Sequence, residues 1–394
     1  MWIHAPPFRR TVCLFLPLIL FVACRNQRSV GVTDYGDWKL AHGDPKGAIQ
    51  EYTTAIAMSA DSARAYARRG LARETLGDLP GALADADTAL KLASADSIKA
   101  TAYVVRGNAF KKRREWRPAI AEFDKALLLK RNEVDALVGR GICKRENEDI
   151  KGAIGDESAA IALRSTDAAA YFERGLAEMQ GRNAEAAMRD FDSAIHWKPG
   201  LTGVYFQRAR IWDAKGDPAR ALSDCDKGIE LQPGQADGYV FRAEFRFKTD
   251  DLSGAFADVD KAISLNGSDS TYYFDRGLFD AEGDAWARAK VDQSKAIALN
   301  PGYVRAYEAR GWAEHVLGED AKAEEDFRRV FTLDPKDEWA HVCLGRLKME
   351  ANDPVEALVQ FNEAVHLGRN RPPFTWKGGF GSIRPDNGAG RPWS

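Results

Sequence analysis

The sequence predicts an all-α fold, an α-solenoid (superhelix) of about ten helix–turn–helix repeats, and three observations support it. A small residue recurs every thirty-four residues, with one step of thirty-seven. An alanine follows each small residue twelve positions later. Apolar residues fall at helical spacing in both halves of each unit. The small residues are Gly36, Gly70, Gly107, Gly141, Gly175, Ala209, Ala243, Gly277, Gly311 and Gly345.

One unit, residues 168–201, shows how a repeat is built. Its halves read AAAYFERGLAEMQG and RNAEAAMRDFDSAIHWKPGL, and each predicts one helix. Glycine costs about 1 kcal/mol in a helix interior relative to alanine. The mid-helix Gly175 therefore predicts a neighbouring backbone too close to admit a side chain, with Ala187 as the small contact on the second helix.

Local signals mark the ends of the second helices. Asp and Asn side chains accept the unpaired amides of a first turn, and proline is tolerated at the first helical position but cannot continue a helix. The predicted N-caps are Asp44, Asp78, Asp149, Asn183, Asp217, Asp251 and Asp353, of which three precede Pro45, Pro218 and Pro354. Pro199, Pro233, Pro301 and Pro335 are predicted to end second helices.

The units resemble tetratricopeptide repeats, whose pattern is an aromatic, a small residue, an alanine, a bulky apolar residue and a proline. The resemblance covers residues 29–371, although Glu157 and Gln293 replace the bulky residue. Three extra residues are placed between the second and third units, around Ala95 to Lys99. The leading aromatics are Tyr66, Tyr103, Tyr171, Tyr205, Tyr239, Tyr273 and Tyr307, and the bulky residues are Tyr52, Phe123, Phe191, Phe327 and Phe361. The predicted units are 29–62, 63–99, 100–133, 134–167, 168–201, 202–235, 236–269, 270–303, 304–337 and 338–371.

The N-terminus is predicted to be an export signal. Two arginines precede an apolar run that is shorter than the roughly 20 residues of a membrane span. The run ends in LFVAC, which resembles the lipobox of bacterial lipoproteins and implies cleavage of residues 1–23 and lipidation of Cys24. Residues 24–33 would be a short linker, and Arg25 after the cysteine favours the outer membrane, facing the periplasm. The alternative is an ordinary signal peptide cut elsewhere.

Composition and motifs argue against several function classes. The formal net charge of −2 is not that of a nucleic-acid-binding protein, and the six histidines are too scattered to suggest a metal site. The Asp-x-Asp motifs place two carboxylates on different sides of a helix, so they predict no metal site either. No nucleophile motif or cofactor-binding loop stands out, so the chain is predicted to be non-enzymatic. Cys143, Cys225 and Cys343 lie in separate units and predict no disulfide.

A row of arginines on the first helices is matched by a row of acids on the second helices. We interpret the rows as a ladder of exposed ion pairs that contribute about 0–1 kcal/mol each and set register more than stability. The alternative is a stripe of free arginines for an anionic ligand. The arginines are Arg69, Arg106, Arg140, Arg174, Arg208, Arg242, Arg276 and Arg310, and the acids are Asp85, Glu122, Asp156, Asp190, Asp224, Asp258, Asp292 and Asp326.

The family resemblance implies that one face of the first helices contacts a ligand. The Lys–Asn pair of carboxylate-clamp members is incomplete, because Asn108 is present but Val104 replaces the lysine. The alternative for the matching positions is packing between repeats. The predicted partner-binding residues are Phe172, Leu176, Met179, Phe206, Arg210, Val240, Phe247, Phe274, Leu278, Trp312, Trp339 and Arg346, joined by Val316 and Met349.

These residues predict a membrane-anchored scaffold that binds a peptide or an amphipathic helix of a partner protein in envelope or complex assembly. The sequence leaves two alternatives open, a solenoid that self-associates and a regulatory subunit of an enzyme complex. The Gly- and Pro-rich residues 372–394 predict an irregular tail, in which Phe374 or Trp376 folds back over the last helix or binds a partner.

Overall fold

The structure is a computed structural model that describes residues 28–368. The predicted signal peptide, Cys24 and the 372–394 tail lie outside the described residues. Within residues 28–368 the regular elements are twenty α-helices in consecutive pairs, which confirms the predicted fold class. Helix α1 comprises residues 28–41 of the described part.

The helices divide between two compact units, Met1–Pro199 and Gly200–Ser394. The first unit continues with α2 (Pro45–Met58), α3 (Ala63–Thr75), α4 (Leu79–Leu92), α5 (Asp96–Lys112), α6 (Trp116–Leu129), α7 (Val134–Glu146), α8 (Ile150–Leu163), α9 (Ala168–Gln180) and α10 (Ala184–Trp197). The second unit contains α11 (Thr202–Ala214), α12 (Pro218–Leu231), α13 (Ala236–Lys248), α14 (Leu252–Leu265), α15 (Ser270–Glu282), α16 (Trp286–Leu299), α17 (Val304–Val316), α18 (Asp320–Leu333), α19 (Glu338–Glu350) and α20 (Pro354–Gly368).

Each odd-numbered helix packs against the even-numbered helix that follows it, and within each unit successive pairs pack together. The hydrophobic core is accordingly a series of clusters. One cluster in the first unit spans Val104 to Ala170, and one in the second unit spans Phe274 to Ala340. This is the packing of a repeat protein, in which each unit is stabilised by its neighbours.

The helix ends follow the predicted signals. All seven predicted N-cap side chains accept an amide hydrogen bond from the residue three positions later; for Asp149 the bond from the Gly152 amide is 2.9 Å. Pro45, Pro218 and Pro354 are the first residues of their helices. The second helices before the four predicted terminating prolines all end two residues earlier.

The turn between the two helices of each pair contains a left-handed residue that the sequence analysis did not identify. It stands fifteenth in the standard unit, and in six of ten units it is not glycine. Glu148, for example, has φ +67°. A left-handed conformation costs an L-residue roughly 1–2 kcal/mol, so these turns are imposed by the packing of the helices that they join. The series is Gly43, Gly77, Arg114, Glu148, Arg182, Gly216, Asp250, Asp284, Gly318 and Asn352.

At most of the recurrent mid-helix glycines, the atom that leaves no room for a Cβ belongs to a side chain of the second helix and not to its backbone. A Cβ on Gly175 would lie 2.5 Å from the Phe191 ring, so the bulky residue of the second helix occupies the space that a side chain would need. The predicted close backbone is present at Gly70, where the nearest atom is the Ala82 carbonyl oxygen at 3.2 Å. The alanine series is confirmed, because Ala187 and its equivalents are buried.

The three extra residues lengthen a helix. Helix α5 has 17 residues, whereas α3, α7 and α9 each have 13, and the fourth additional residue comes from the loop before α5, which is one residue shorter than the loop before α7. The insertion therefore adds a turn at the N-terminus of α5, beginning at Asp96, and lies within the third helix pair. The placement of these residues between two units was wrong because Asp96 to Lys99 are themselves helical.

Candidate functional site

An arginine and an acid sixteen residues apart join the two helices of a pair. Arg174 Nε donates to Asp190 Oδ2 at 2.8 Å and its Nη2 donates to Oδ1 at 2.7 Å, which makes the pair bidentate. Arg106 and Glu122 form a simpler ion pair at 3.1 Å. The predicted ladder is confirmed in all eight units, with the remaining pairs Arg69–Asp85, Arg140–Asp156, Arg208–Asp224, Arg242–Asp258, Arg276–Asp292 and Arg310–Asp326.

The acids of the ladder are buried, so the expectation of exposed pairs was wrong. Asp190 is 6% exposed, because α9 and α10 close over its carboxylate. The Arg174 guanidinium also lies over the Tyr171 ring, 5.6 Å from its centroid, which adds a cation–π contact. Removing one partner of a buried ion pair costs about 3–5 kcal/mol, well above the value for surface pairs.

The second acid of the Asp-x-Asp motif joins successive helix pairs. Asp224 pairs with Arg208 of its own repeat, while Asp226 Oδ1 accepts a 2.6 Å hydrogen bond from Arg242 Nη1 of the next repeat. The motif therefore serves two different arginines. Among residues 28–368, no three His, Cys, Asp or Glu side chains are grouped so that they could hold a metal ion.

The ladder occupies the side of the odd-numbered helices that meets the even-numbered ones. We call the side on which odd-numbered helices contact one another the odd-helix face, and treat it separately in each unit. In the first unit it comprises Asp37, Arg64, Arg68, Glu74, Lys112, Arg145 and Glu173, and in the second unit it comprises Arg210, Asp213, Phe247, Lys248, Leu278, Trp312, His315, Arg346 and Met349.

On the odd-helix face of the first unit, charged side chains pair with one another. Lys112 Nζ lies 2.8 Å from Glu74 Oε1, and Arg145 Nη2 lies 3.2 Å from Glu173 Oε2. Nearer α1, Arg64 Nη2 donates to Asp37 Oδ2 at 2.6 Å. These contacts use the cations and acids of the face internally, which leaves fewer of them for a ligand.

A buried carboxyl group lies beside this network. Glu157 is 1% exposed, and neither of its carboxyl oxygens has a hydrogen-bond partner among the described residues. Burial raises the pKa of Glu157 to about 9, and the nearby Glu173 carboxylate adds to the shift. Gln293 has the equivalent position in the second unit, where its Nε2 donates to the Phe274 carbonyl oxygen at 3.2 Å. The side chain at this position thus makes one hydrogen bond in the second unit, where Gln293 Oε1 has no partner among the described residues, and none in the first.

On the odd-helix face of the second unit, Lys248 pairs with Asp213 as Lys112 does with Glu74, but aromatic and apolar side chains predominate from α15 to α19. The Arg346 guanidinium lies 5.3 Å from the Trp312 ring centroid, and Phe247 stacks on Phe279 at 4.4 Å. Trp312 and Phe247 remain half-buried, while Met349 is 53% exposed. Arg346 pairs with no carboxylate among the described residues. This face offers apolar surface together with an unpaired cation.

Three of the predicted partner-binding residues do not reach this surface. Phe206 is 5% exposed and stacks on Phe241 at 5.4 Å, and Phe274 is 2% exposed with its ring 5.0 Å from that of Tyr303. Val240 is also buried. These side chains pack between successive helix pairs, so assigning them to partner contact was wrong. Phe172, Leu176, Met179, Arg210, Phe247, Leu278, Trp312 and Trp339 are half-buried and Arg346 is exposed.

The sequence analysis did not identify His315. Its Nδ1 lies 2.8 Å from Asp320 Oδ1 and its Nε2 lies 3.4 Å from Glu350 Oε2, and its ring meets the edge of Trp312. The repeat period could have identified it, because His315 is thirty-four residues before the predicted contact residue Met349 and so has the same position in its repeat.

Among the helices of residues 28–368, none combines the length and the apolar composition that a membrane span requires.

Two parts of the sequence, residues 36–97 and residues 304–337, match family models of the tetratricopeptide repeat. No curated protein matches the sequence. Among solved structures, yeast Tom70 is similar at 18% identity and TM-score 0.53, with 86% of this chain and 85% of that chain covered. The human IFIT1 dimer with PPP-AAAA is similar at 12% identity and TM-score 0.50, with 89% and 95% covered. These identities establish a shared fold alone. The chain therefore contains tetratricopeptide repeats.

Proposed function

We propose that the protein is a non-enzymatic scaffold that binds a peptide or an amphipathic helix of a partner protein on the odd-helix face of the second unit. The observation that supports this most directly is the half-buried Trp312 beneath the guanidinium of Arg346, beside the exposed Met349. Aromatic and arginine side chains are the commonest anchors of protein interfaces. The family resemblance implies partner contact on the same side of the repeat, which supports the proposal.

The charges of this face specify the partner segment. Neither Arg346 nor Arg210 pairs with a carboxylate among the described residues. A guanidinium binds a carboxylate through two parallel hydrogen bonds, and a neighbouring indole ring can cover an apolar side chain. We therefore expect a segment that presents an apolar anchor and an acidic residue.

Cysteine chemistry supports a role without catalysis. The three cysteines of the described residues are buried. Burial raises the pKa of the Cys143 thiol to about 12, so that it is not a nucleophile near neutral pH. Turnover by the purified chain, abolished by a single substitution that leaves the fold intact, would contradict this part of the proposal.

The experiment is a crosslinking pull-down from native membranes, comparing wild-type protein with Trp312→Ala. Loss of an interface anchor costs about 2 kcal/mol, so we expect capture of the partner to weaken about thirtyfold. The matched control is Trp197→Ala, since Trp197 is a 44% exposed tryptophan on an even-numbered helix of the first unit. Equal capture by Trp312→Ala and wild-type protein would exclude the proposed face.

We also propose that the mature chain is anchored in the bacterial cell envelope through lipidated Cys24, in the outer membrane and facing the periplasm. The lipobox resemblance supports this, and several acyl chains on one residue anchor a protein firmly. Cys24→Ser should release the protein from membranes, and mass spectrometry of the N-terminal peptide should find acyl chains in wild-type protein. An unmodified Cys24, or a mature N-terminus at another residue, would favour the ordinary signal peptide.

A further inference from the structure

The outer surface of α20 exposes a row of apolar side chains. Val355, Leu358, Val359 and Val365 are each more than half exposed, although α20 also carries the buried Ala357 that packs on α19. Exposed contiguous apolar surface on a helix marks a site that another element covers.

The repeat itself shows what covers this surface elsewhere. Val365 is 58% exposed, whereas Leu127, Ile229 and Ile297, at the same position of other repeats, are 8%, 8% and 9% exposed. Each of those three lies in a cluster with residues of the helix pair that follows. Among the described residues, no following helix pair covers the α20 surface as it covers the same surface of the other second helices.

We propose that residues 369–394 of the same chain cover this surface, with Phe374 and Trp376 against α20. The reach is sufficient: α20 has 15 residues and is about 22 Å long at 1.5 Å per residue, whereas eight extended residues, 369–376, span about 26 Å. A tethered segment competes with separate molecules at an effective concentration near millimolar.

The charges of the two elements are complementary. Helix α20 carries Glu356 and Glu363 and no lysine or arginine. Residues 369–384 carry four cations and no acid, since the first acid after α20 is Asp386. Attraction between the two is worth only tenths of a kcal/mol per exposed pair, so apolar contact supplies most of the stability.

The experiment is hydrogen exchange of the α20 amides in the full chain, in a chain ending at Arg371, and in the double variant Phe374→Ser/Trp376→Ser. We expect at least tenfold faster exchange of residues 354–368 in both altered proteins. Trp393→Ser is the matched control and should exchange like the wild type. Far-UV circular dichroism verifies that each protein keeps its helix content.

Two outcomes would overturn the proposal, and neither depends on whether the odd-helix face binds a partner. The first is exchange of α20 that is unchanged by both alterations. The second is α20 protection that disappears on dilution of the wild type while light scattering shows a dimer dissociating, because a second copy would then be the occupant.

Discussion

The odd-helix faces of the two units are built on the same repeat and differ in what they leave unpaired. In the first unit Lys112 meets Glu74 and Arg145 meets Glu173, so its charges are used within the chain. In the second unit the Arg346 guanidinium lies 5.3 Å from the Trp312 ring centroid, and this arginine pairs with no carboxylate among the described residues. In such a protein, the repeat fold is shared, and the capacity to bind a partner depends on which charged groups are left without a partner inside the chain.

The arginine–acid ladder between odd- and even-numbered helices is present in both units. Its removal gives the largest expected effect on stability. Asp85 accepts from Arg69 and Arg73, and Asp258 accepts in the same way from Arg242 and Arg246. We expect Asp85→Ala and Asp258→Ala each to lower the free energy of unfolding by about 3–5 kcal/mol in urea titrations, since each leaves two cations without their buried acid. The exposed second acid of the motif is the control: Asp87→Ala should cost less than 1 kcal/mol. A large loss in only one of the two units would show that the ladder is not equivalent in them.

The second prediction concerns Glu157. Its pKa is raised from 4.5 to about 9 in the folded protein. Between these pH values the folded state holds a proton that the unfolded state has lost, so the free energy of unfolding falls as the pH rises from about 4.5 to about 9. Glu157→Gln should remove this slope and make the protein more stable than the wild type near pH 9 by at least about 2 kcal/mol, because the amide has no proton to lose as the pH rises.

The groups facing Glu157 are Arg145, Glu173, Asp156 and Asp167, and the glutamine variant leaves all four unchanged. Gln293→Glu in the second unit is the reciprocal variant and should introduce a slope of the same sign. Parallel pH profiles for wild-type protein and Glu157→Gln would contradict the assignment.

The third prediction tests whether the unpaired cation of the second unit recognises an acid. Arg346→Glu should weaken capture of the partner about fivefold, or about 1 kcal/mol, because an exposed charge contact contributes little by itself. Arg329→Glu makes the same charge change at an exposed position of α18 and should leave capture unchanged. Equal weakening by both variants would indicate a nonspecific effect of net charge.

The smallest expected effect concerns the turns. Glu148 has φ +67° in the first unit, whereas Gly318 has φ +77° at the same position in the second. Glu148→Gly should raise the free energy of unfolding by about 0.5–1 kcal/mol, because glycine adopts this conformation without strain. Gly318→Glu should lower it by a similar amount, and thermal unfolding of both variants measures the pair.

Much of the fold could be predicted because its signals are local or periodic. Asp149 caps α8 through an amide three residues away, and Arg174 meets Asp190 because both lie at fixed places in one unit. The burial of Phe206 could not be predicted in this way. Its ring is covered by Phe241 of the next helix pair, and a ligand-facing position and a packing position carry the same kind of residue.

The sequence by itself determined the helix pairs, their caps, the Arg–Asp ladder and the period, since each depends on contacts within one unit or on strict repetition. The tertiary structure alone decided which charges satisfy one another and which aromatics remain accessible. It also decided how deeply Asp190 and Glu157 are buried. Those properties depend on how side chains from different helices meet in space, and a single helix pattern does not encode that arrangement.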